Sequence, residues 1–226
     1  MMVEIKSLIL QILNSSQPRP TDEERNLLLV AYKNVIACYT TPHHVVLSIR
    51  DRLETKNEFH NVKLTERFMK NLQEKCIEIT VEIIEIIDKI LQLEDQSVED
   101  CVYYWKQKGD LYRNIARVDY QNSGLDWKGK SLECYEISNE FSTKLSILNP
   151  LRLGMILSQA VFKYEVVGEC EKAVEIAQTA FSKAMKELEI LIESGEDISS
   201  EITLILQLLR DNLSNWTADV KGPDED

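Results

Sequence analysis

Residues 68–90 read FMKNLQEKCIEITVEIIEIIDKI, and this stretch decides the fold class. Apolar side chains recur in it at steps of three or four residues, which is the period of one face of an α-helix. Acidic residues fall between them, so one face is predicted to pack and the other to meet water. A helix is therefore predicted over about 59–93, with an inward face formed by Phe68, Leu72, Cys76, Ile79, Ile83, Ile86 and Ile90.

The same period extends along the rest of the chain, and no stretch alternates with period two for long enough to form a sheet. Thr21 and Glu24 have the spacing of a capping box, which predicts the start of a long helix. Other helices are predicted at 5–13, 98–119, 130–147, 149–168, 169–192 and 199–217. The prediction is an all-α array of about eight antiparallel helices. It forms one domain over residues 1–220, followed by a short acidic tail at 221–226.

Composition narrows the class of protein further. The formal net charge of −12 argues against nucleic acid as the partner, because phosphate neutralisation needs a basic surface. The five cysteines are odd in number and widely spaced, which predicts reduced thiols and a cytoplasmic protein. The most apolar stretch, residues 77–91, contains four acidic residues, so no membrane span is predicted.

Two motifs typical of other functions are present but incomplete. GLDWKGKS at 124–131 satisfies the pattern G-x-x-x-x-G-K-S of nucleotide-binding phosphate loops. That loop needs a buried strand before it, and none is predicted, so the segment is interpreted as a linker between helices. His43 and His44 are adjacent and would point about 100° apart on a helix, without any CxxC nearby. No enzyme, cofactor or metal site is predicted.

Five segments, in order along the chain, resemble signatures of the 14-3-3 family. ERNLLLVAYKNV at 24–35 is similar to the opening of the family's helix C, and KGDLYR at 108–113 resembles its K-G-D-Y-Y-R. PLRLG at 150–154 with VFKYE at 161–165 is similar to helix G. AFSKAMKEL at 180–188 resembles helix H, and LILQLLRDNLSNW at 204–216 resembles the last helix. The resemblance implies a non-enzymatic adaptor whose concave groove binds phosphoserine or phosphothreonine segments of partner proteins.

The resemblance also implies which residues line that groove. In the family, a lysine, two arginines and a tyrosine hold the phosphate, asparagines clamp the ligand backbone, and an apolar strip lines the opposite wall. Carried over singly, the lysine is Lys33, the helix E arginine is Arg113 and the asparagine of the last helix is Asn212. Lys106 is a second lysine near the groove, and Glu165 is the acid of helix G. The apolar wall would consist of Leu157, Val161, Ile205, Leu208 and Trp216.

Three positions depart from the family's pattern. Thr40 stands where an arginine is expected, Asn114 where the tyrosine is expected, and Ser158 where the helix G asparagine is expected. Each charge-assisted hydrogen bond contributes about 1.5–3 kcal/mol, so losing an arginine and a phenol predicts phosphate binding weakened by roughly ten- to a thousandfold. The alternative function is a groove-binding scaffold that recognises acidic or helical partners without a phosphate.

One substitution in the opposite direction accompanies these losses. Arg117 stands where the resemblance implies an acid, four residues after Arg113 and on the same helical face. The hypothesis is that Arg117 supplies the phosphate site with a cation in place of the arginine missing at Thr40. The alternative is that Arg117 turns to solvent or pairs with Asp119 or another carboxylate.

Two further expectations concern assembly and helix shape. Only 24 residues precede Arg25, which leaves room for one helix where the resemblance implies two. Asn71 and Lys75 also replace the lysine and glutamate of the charged pairs expected across a family dimer, so a monomer or a weak, atypical dimer is predicted. Pro42 lacks a backbone N–H in the middle of a predicted helix, which predicts a kink or a break between Cys38 and Pro42.

Overall fold

The computed structural model describes residues 7, 11–12, 19–119 and 125–221, the last of them by its backbone only. These residues contain seven α-helices and one π-helical segment, Lys163–Val167. The α-helices are α1 (Asp22–Thr55), α2 (Phe59–Leu91), α3 (Val98–Val118), α4 (Trp127–Ser142), α5 (Pro150–Phe162), α6 (Cys170–Ser194) and α7 (Ser200–Lys221). No strand occurs among the described residues, and the all-α fold class is confirmed.

Two predicted elements fall outside this description. The helix predicted at 5–13 lies outside the described residues except at positions 7, 11 and 12, and the acidic tail lies outside them beyond residue 221. Within the described ranges, no helix combines the length and the apolar character that a membrane crossing requires.

The described residues group into two compact units. The first comprises residues 19–95, 114–119 and 125, and it contains α1 and α2. The second comprises residues 96–113 and 126–221, and it contains α4 to α7 with most of α3.

In the first unit, α1 and α2 form a hairpin joined by a three-residue turn. The turn is possible because Asn57 adopts a left-handed conformation, with φ of 58°. The start of α1 is held by the predicted capping box: the Thr21 N–H donates to Glu24 at 2.8 Å, and the Glu24 N–H donates to the Thr21 hydroxyl at 3.2 Å. The predicted helix start is therefore confirmed. Between the two helices, the buried Tyr32 donates its hydroxyl to Glu82 at 3.0 Å.

The inward face of α2 differs from the predicted one at its N-terminal end. Phe68, predicted to pack, is 50% exposed, whereas the neighbouring Met69 is fully buried. Gln73 is also buried, because its amide donates to the Asp119 carboxylate at 2.7 Å. A buried amide is tolerated when it is hydrogen-bonded, and periodicity of apolar residues alone does not reveal such a position. From Cys76 onwards the predicted face is buried as expected.

The helix α1 continues through Pro42 without a break, so the predicted break is wrong. Proline removes one intrahelical hydrogen bond, at a cost of about 3 kcal/mol or more. Packing against α2 offsets that loss, because α1 buries Tyr32 and Ile36 before the proline and His43 directly after it. The milder alternative, a kink at this position, stays a prediction.

In the second unit, the core is built around small residues on α6. Ala173, Ala177 and Ala184 are fully buried and let α6 approach its neighbours closely. They pack in one cluster with Leu153 of α5 and Leu209 of α7, together with Leu213 and Trp216. This packing places one side of α5 and one side of α7 against a common core.

Several helix boundaries in this unit differ from those predicted; for example, α4 ends at Ser142 rather than 147, and α7 continues to Lys221 rather than ending at 217. The helix α4 begins at Trp127, because the Asp126 side chain accepts from the Gly129 N–H at 2.8 Å and caps it there. The G-x-x-x-x-G-K-S stretch thus enters a helix rather than serving only as a linker. The helix α5 ends at Phe162, and the chain continues as the π-helical segment up to Gly168, whose left-handed φ of 80° ends it.

Candidate functional site

A buried carboxylate on α3 organises the predicted cations of the second unit. Asp110 is 6% exposed, and its Oδ2 atom lies 2.8 Å from the Nζ atom of Lys106. Its Oδ1 atom lies 3.3 Å from Nη2 of Arg113 and accepts a hydrogen bond from the Tyr135 hydroxyl at 2.7 Å. The two cations stand four residues before and three residues after the acid, so one helical face carries all three charges.

The Arg113 side chain is partly buried, but its polar contacts are long. Its side chain is 17% exposed, and Nη1 donates to the Ser158 carbonyl oxygen across a long 3.4 Å contact. Its Nε atom is buried and has no hydrogen-bond acceptor among the described residues. Burial by itself would lower the pKa of Arg113, but Asp110, Tyr135 and Glu165 raise it, and the net shift is upward. The guanidinium is therefore a permanent cation with spare donors.

The arrangement suits an anion that presents several oxygens. A guanidinium has five N–H donors in a planar fork, and within the described ranges this one makes contacts of 3.4 Å to the Ser158 carbonyl and 3.3 Å to Asp110. Lys106 and Arg113 bring two positive charges to the site, against the negative charges of Asp110 and Glu165. A phosphate or carboxylate would find both charge and free donors here.

Close packing between α3 and α4 brings Tyr135 to Asp110. The Tyr135 ring lies so close to Gly109 that a Cβ atom there would meet the ring carbons at 2.9 Å. The Ser131 hydroxyl donates to the Gly109 carbonyl oxygen at 2.9 Å, and the Tyr135 ring packs on Phe162 at 5.4 Å between centroids. Only glycine permits this approach, which brings the Tyr135 hydroxyl to Asp110.

The predicted apolar wall is divided between the core and the surface. Leu157, Val161 and Ile205 are half-buried and pack on the core of the second unit, while Leu208 is 44% exposed. Trp216 is 6% exposed and stacks on Tyr164 with ring centroids 4.8 Å apart, which makes it a core residue. Direct contact of Trp216 with a ligand stays a prediction.

The remaining predicted residues occupy separate positions. Asn212 is half-buried on α7, between Leu208 and Trp216 in the sequence, and Glu165 is exposed on the π-helical segment. Lys33 is exposed on α1 in the first unit, and Arg117 is exposed in the last turn of α3. The structure thus groups Lys106 and Arg113 around one acid, with the Ser158 carbonyl in contact with Arg113, and the phosphate-binding roles of Lys33 and Arg117 stay predictions.

Two residues at this site were missed by the sequence-based predictions. Asp110 lies inside the KGDLYR motif, and its spacing from Lys106 and Arg113 was a signal that could have identified it. Tyr135 has no such signal, because it stands 25 residues from Asp110 and meets it only through helix packing.

The motifs of other functional classes are not supported by the geometry. Among the described residues, no group of three metal-ligating side chains is close enough to hold an ion. His43 is buried within α1, and its ring meets that of His44 edge-on at 5.9 Å. The chain at 125–131 enters α4, and no strand precedes it in the part of the chain that the structure describes.

Comparison with known proteins identifies the family. The family model "14-3-3 protein" matches residues 1–217. The 14-3-3-like protein GF14 omicron of Arabidopsis thaliana is 38% identical over 202 residues, which cover 89% of this chain and 79% of that protein. The checkpoint signal transducer rad24 of Schizosaccharomyces pombe is 36% identical over 208 residues, covering 92% and 76%, respectively. The 14-3-3 protein I of Plasmodium falciparum is 32% identical over 219 residues, covering 96% and 82%. On these matches and on its all-helical fold, the chain belongs to the 14-3-3 family of non-enzymatic adaptor proteins.

Proposed function

We propose that this protein binds phosphoserine or phosphothreonine segments of partner proteins, with Arg113 as the principal phosphate ligand. The observation that supports this role is the state of Arg113: its guanidinium is charged and partly exposed, and its terminal nitrogens make contacts of 3.3 and 3.4 Å among the described residues. Contacts of this length are weak, so the terminal N–H groups keep capacity for a charged acceptor. A phosphate oxygen is the acceptor that the charge and the fork of donors favour.

The second unit would also supply the groups that hold the ligand beside the phosphate. Lys106 adds a cation 2.8 Å from the shared carboxylate, and Asn212 offers an amide on α7 for the ligand backbone. Leu208, 44% exposed, with the half-buried Leu157 would contact apolar side chains of the ligand. Because Ser158 replaces the expected asparagine, one backbone clamp is absent on α5, and weaker ligand binding is expected.

Lys33, which the family resemblance assigns to phosphate binding, is exposed on α1. Thr40 and Asn114 are half-buried and carry no charge where the family has phosphate ligands. The expected phosphate affinity is therefore lower than that of a site with the full set, by roughly ten- to a thousandfold.

The test compares one peptide with and without its phosphate, with binding measured by calorimetry at fixed salt. Wild-type protein should bind the phosphorylated form at least tenfold more tightly, and Arg113→Ala should abolish that preference. Arg210→Ala is the matched control. It removes an exposed arginine on α7 whose only ionic partner among the described residues is Asp211. Lys33→Ala tests the role assigned by resemblance separately and should weaken binding of the phosphorylated peptide only. Equal binding of the two peptides by wild-type protein would favour the phosphate-independent scaffold instead.

A further inference from the structure

The packing of the Tyr135 ring does not explain why this residue carries a hydroxyl. Tyr135 is fully buried on α4, and its ring fills the space between Gly109 and Phe162. A phenylalanine would fill that space equally well. The hydroxyl adds a polar group to a buried site, where it must find a partner, and it finds Asp110 at 2.7 Å.

That hydrogen bond occupies the same carboxylate oxygen that faces Arg113. Oδ1 of Asp110 accepts from Tyr135 at 2.7 Å and lies 3.3 Å from Nη2 of Arg113, while Oδ2 faces Lys106 at 2.8 Å. Charge-assisted N–H to O contacts usually measure about 2.7–2.9 Å. Of these three donors, only Arg113 is held beyond that range.

We propose that Tyr135 is a positioning residue of the anion site: its hydroxyl satisfies Asp110 and so keeps that carboxylate from closing on Arg113. The guanidinium then stays available to a phosphate on a partner protein. This inference rests on the proposed function for the identity of the ligand, but not for the effect on Arg113.

The chemistry of the pair is consistent with a permanent role as donor. Burial, and then the charge of Asp110, raise the pKa of the Tyr135 hydroxyl well above its usual range, so it stays protonated. A phenol that stays protonated donates to the carboxylate without adding charge. Removing it would take one hydrogen bond from Oδ1, so Arg113 could approach that oxygen more closely, and an incoming phosphate would have to compete with a shorter ion pair.

The experiment uses Tyr135→Phe, which keeps the ring and removes only the hydroxyl. In a crystal structure of the peptide-free variant, the distance between Nη2 of Arg113 and Oδ1 of Asp110 should shorten from 3.3 Å to about 2.8 Å. In binding measurements, the preference for the phosphorylated peptide over its unphosphorylated form should fall about tenfold, as expected for the loss of one charge-assisted contact.

The matched control is Ser138→Ala, which removes another buried hydroxyl of α4, one that donates to the Val102 carbonyl oxygen at 2.9 Å. This variant should lose stability but keep the distance and the phosphate preference. An unchanged distance in Tyr135→Phe, or an equal loss of preference in Ser138→Ala, would overturn the inference. Equal binding of both peptides by wild-type protein would overturn the proposed function, while a shortened distance would still support the control of Arg113 by Tyr135.

Discussion

Replacing Gly109 by alanine should destabilise the second unit through a single close contact. The added Cβ would lie 2.9 Å from Cδ1 and Cε1 of Tyr135, both carbons of a fully buried ring. Carbon atoms pack best at about 3.5–4.0 Å, so the methyl group would enter the ring by about 0.6 Å or more. The ring cannot retreat freely, because Phe162 lies behind it and its hydroxyl is bound to Asp110.

The change in the free energy of unfolding caused by Gly109→Ala has two opposing contributions. Overpacking a core contact costs about 1–3 kcal/mol, whereas glycine to alanine in a helix interior gains about 1 kcal/mol. Gly154→Ala separates them, because Gly154 also lies within a helix but its Cβ would meet only the Lys106 side chain at an ordinary 3.8 Å. Gly154→Ala should therefore be neutral or stabilising by up to about 1 kcal/mol. The difference between the two variants should be about 1–3 kcal/mol, since helix propensity is common to both.

Urea unfolding followed by circular dichroism measures this difference directly. A lower midpoint with an unchanged slope reports a loss of stability rather than a change in the unfolded state. The Gly109→Ala variant should also bind the phosphorylated peptide less tightly, because a displaced Tyr135 disturbs Asp110. A difference between the variants below about 0.5 kcal/mol would refute the reasoning, since it would mean that the ring yields without loss.

Other consequences of the structure are open to equally direct measurement. Pro42→Ala should raise the free energy of unfolding by about 1–3 kcal/mol, because it restores a donor inside α1, whereas Pro150→Ala at the start of α5 should bring no gain. Burial first, and then His44 and Arg50, lower the pKa of His43, so protonation favours the unfolded chain. Stability should therefore fall as pH drops below about 6.5, in wild type but not in His43→Gln. Arg117→Glu should weaken phosphopeptide binding if that arginine faces the phosphate, and affinity equal to wild type would remove it from the site. Sedimentation at low micromolar concentration should show a monomer or a weak dimer, and a tight dimer would contradict this expectation.

Much of the candidate site could be predicted from spacing and resemblance. Lys106 and Arg113 were identified from the motif around residues 108–113, and the structure places both against one carboxylate. The state of Arg113 was not predictable, because its weak contact with Ser158 joins residues 45 positions apart. The burial of Trp216 was likewise decided by stacking on Tyr164, which no local pattern shows.

The sequence by itself determined the class of fold, the start of α1 at Thr21 and the end of α6 at Gly195, because these depend on contacts within a few residues. Only the tertiary structure decided that α1 runs through Pro42, since burial against α2 outweighs a locally unfavourable residue. It also decided that a tyrosine 25 residues from Asp110 shares an oxygen of that acid with Arg113. The spacing of residues in the sequence determines contacts within one helical turn. The charge available at a site depends instead on which side chains different helices bring to the same atom.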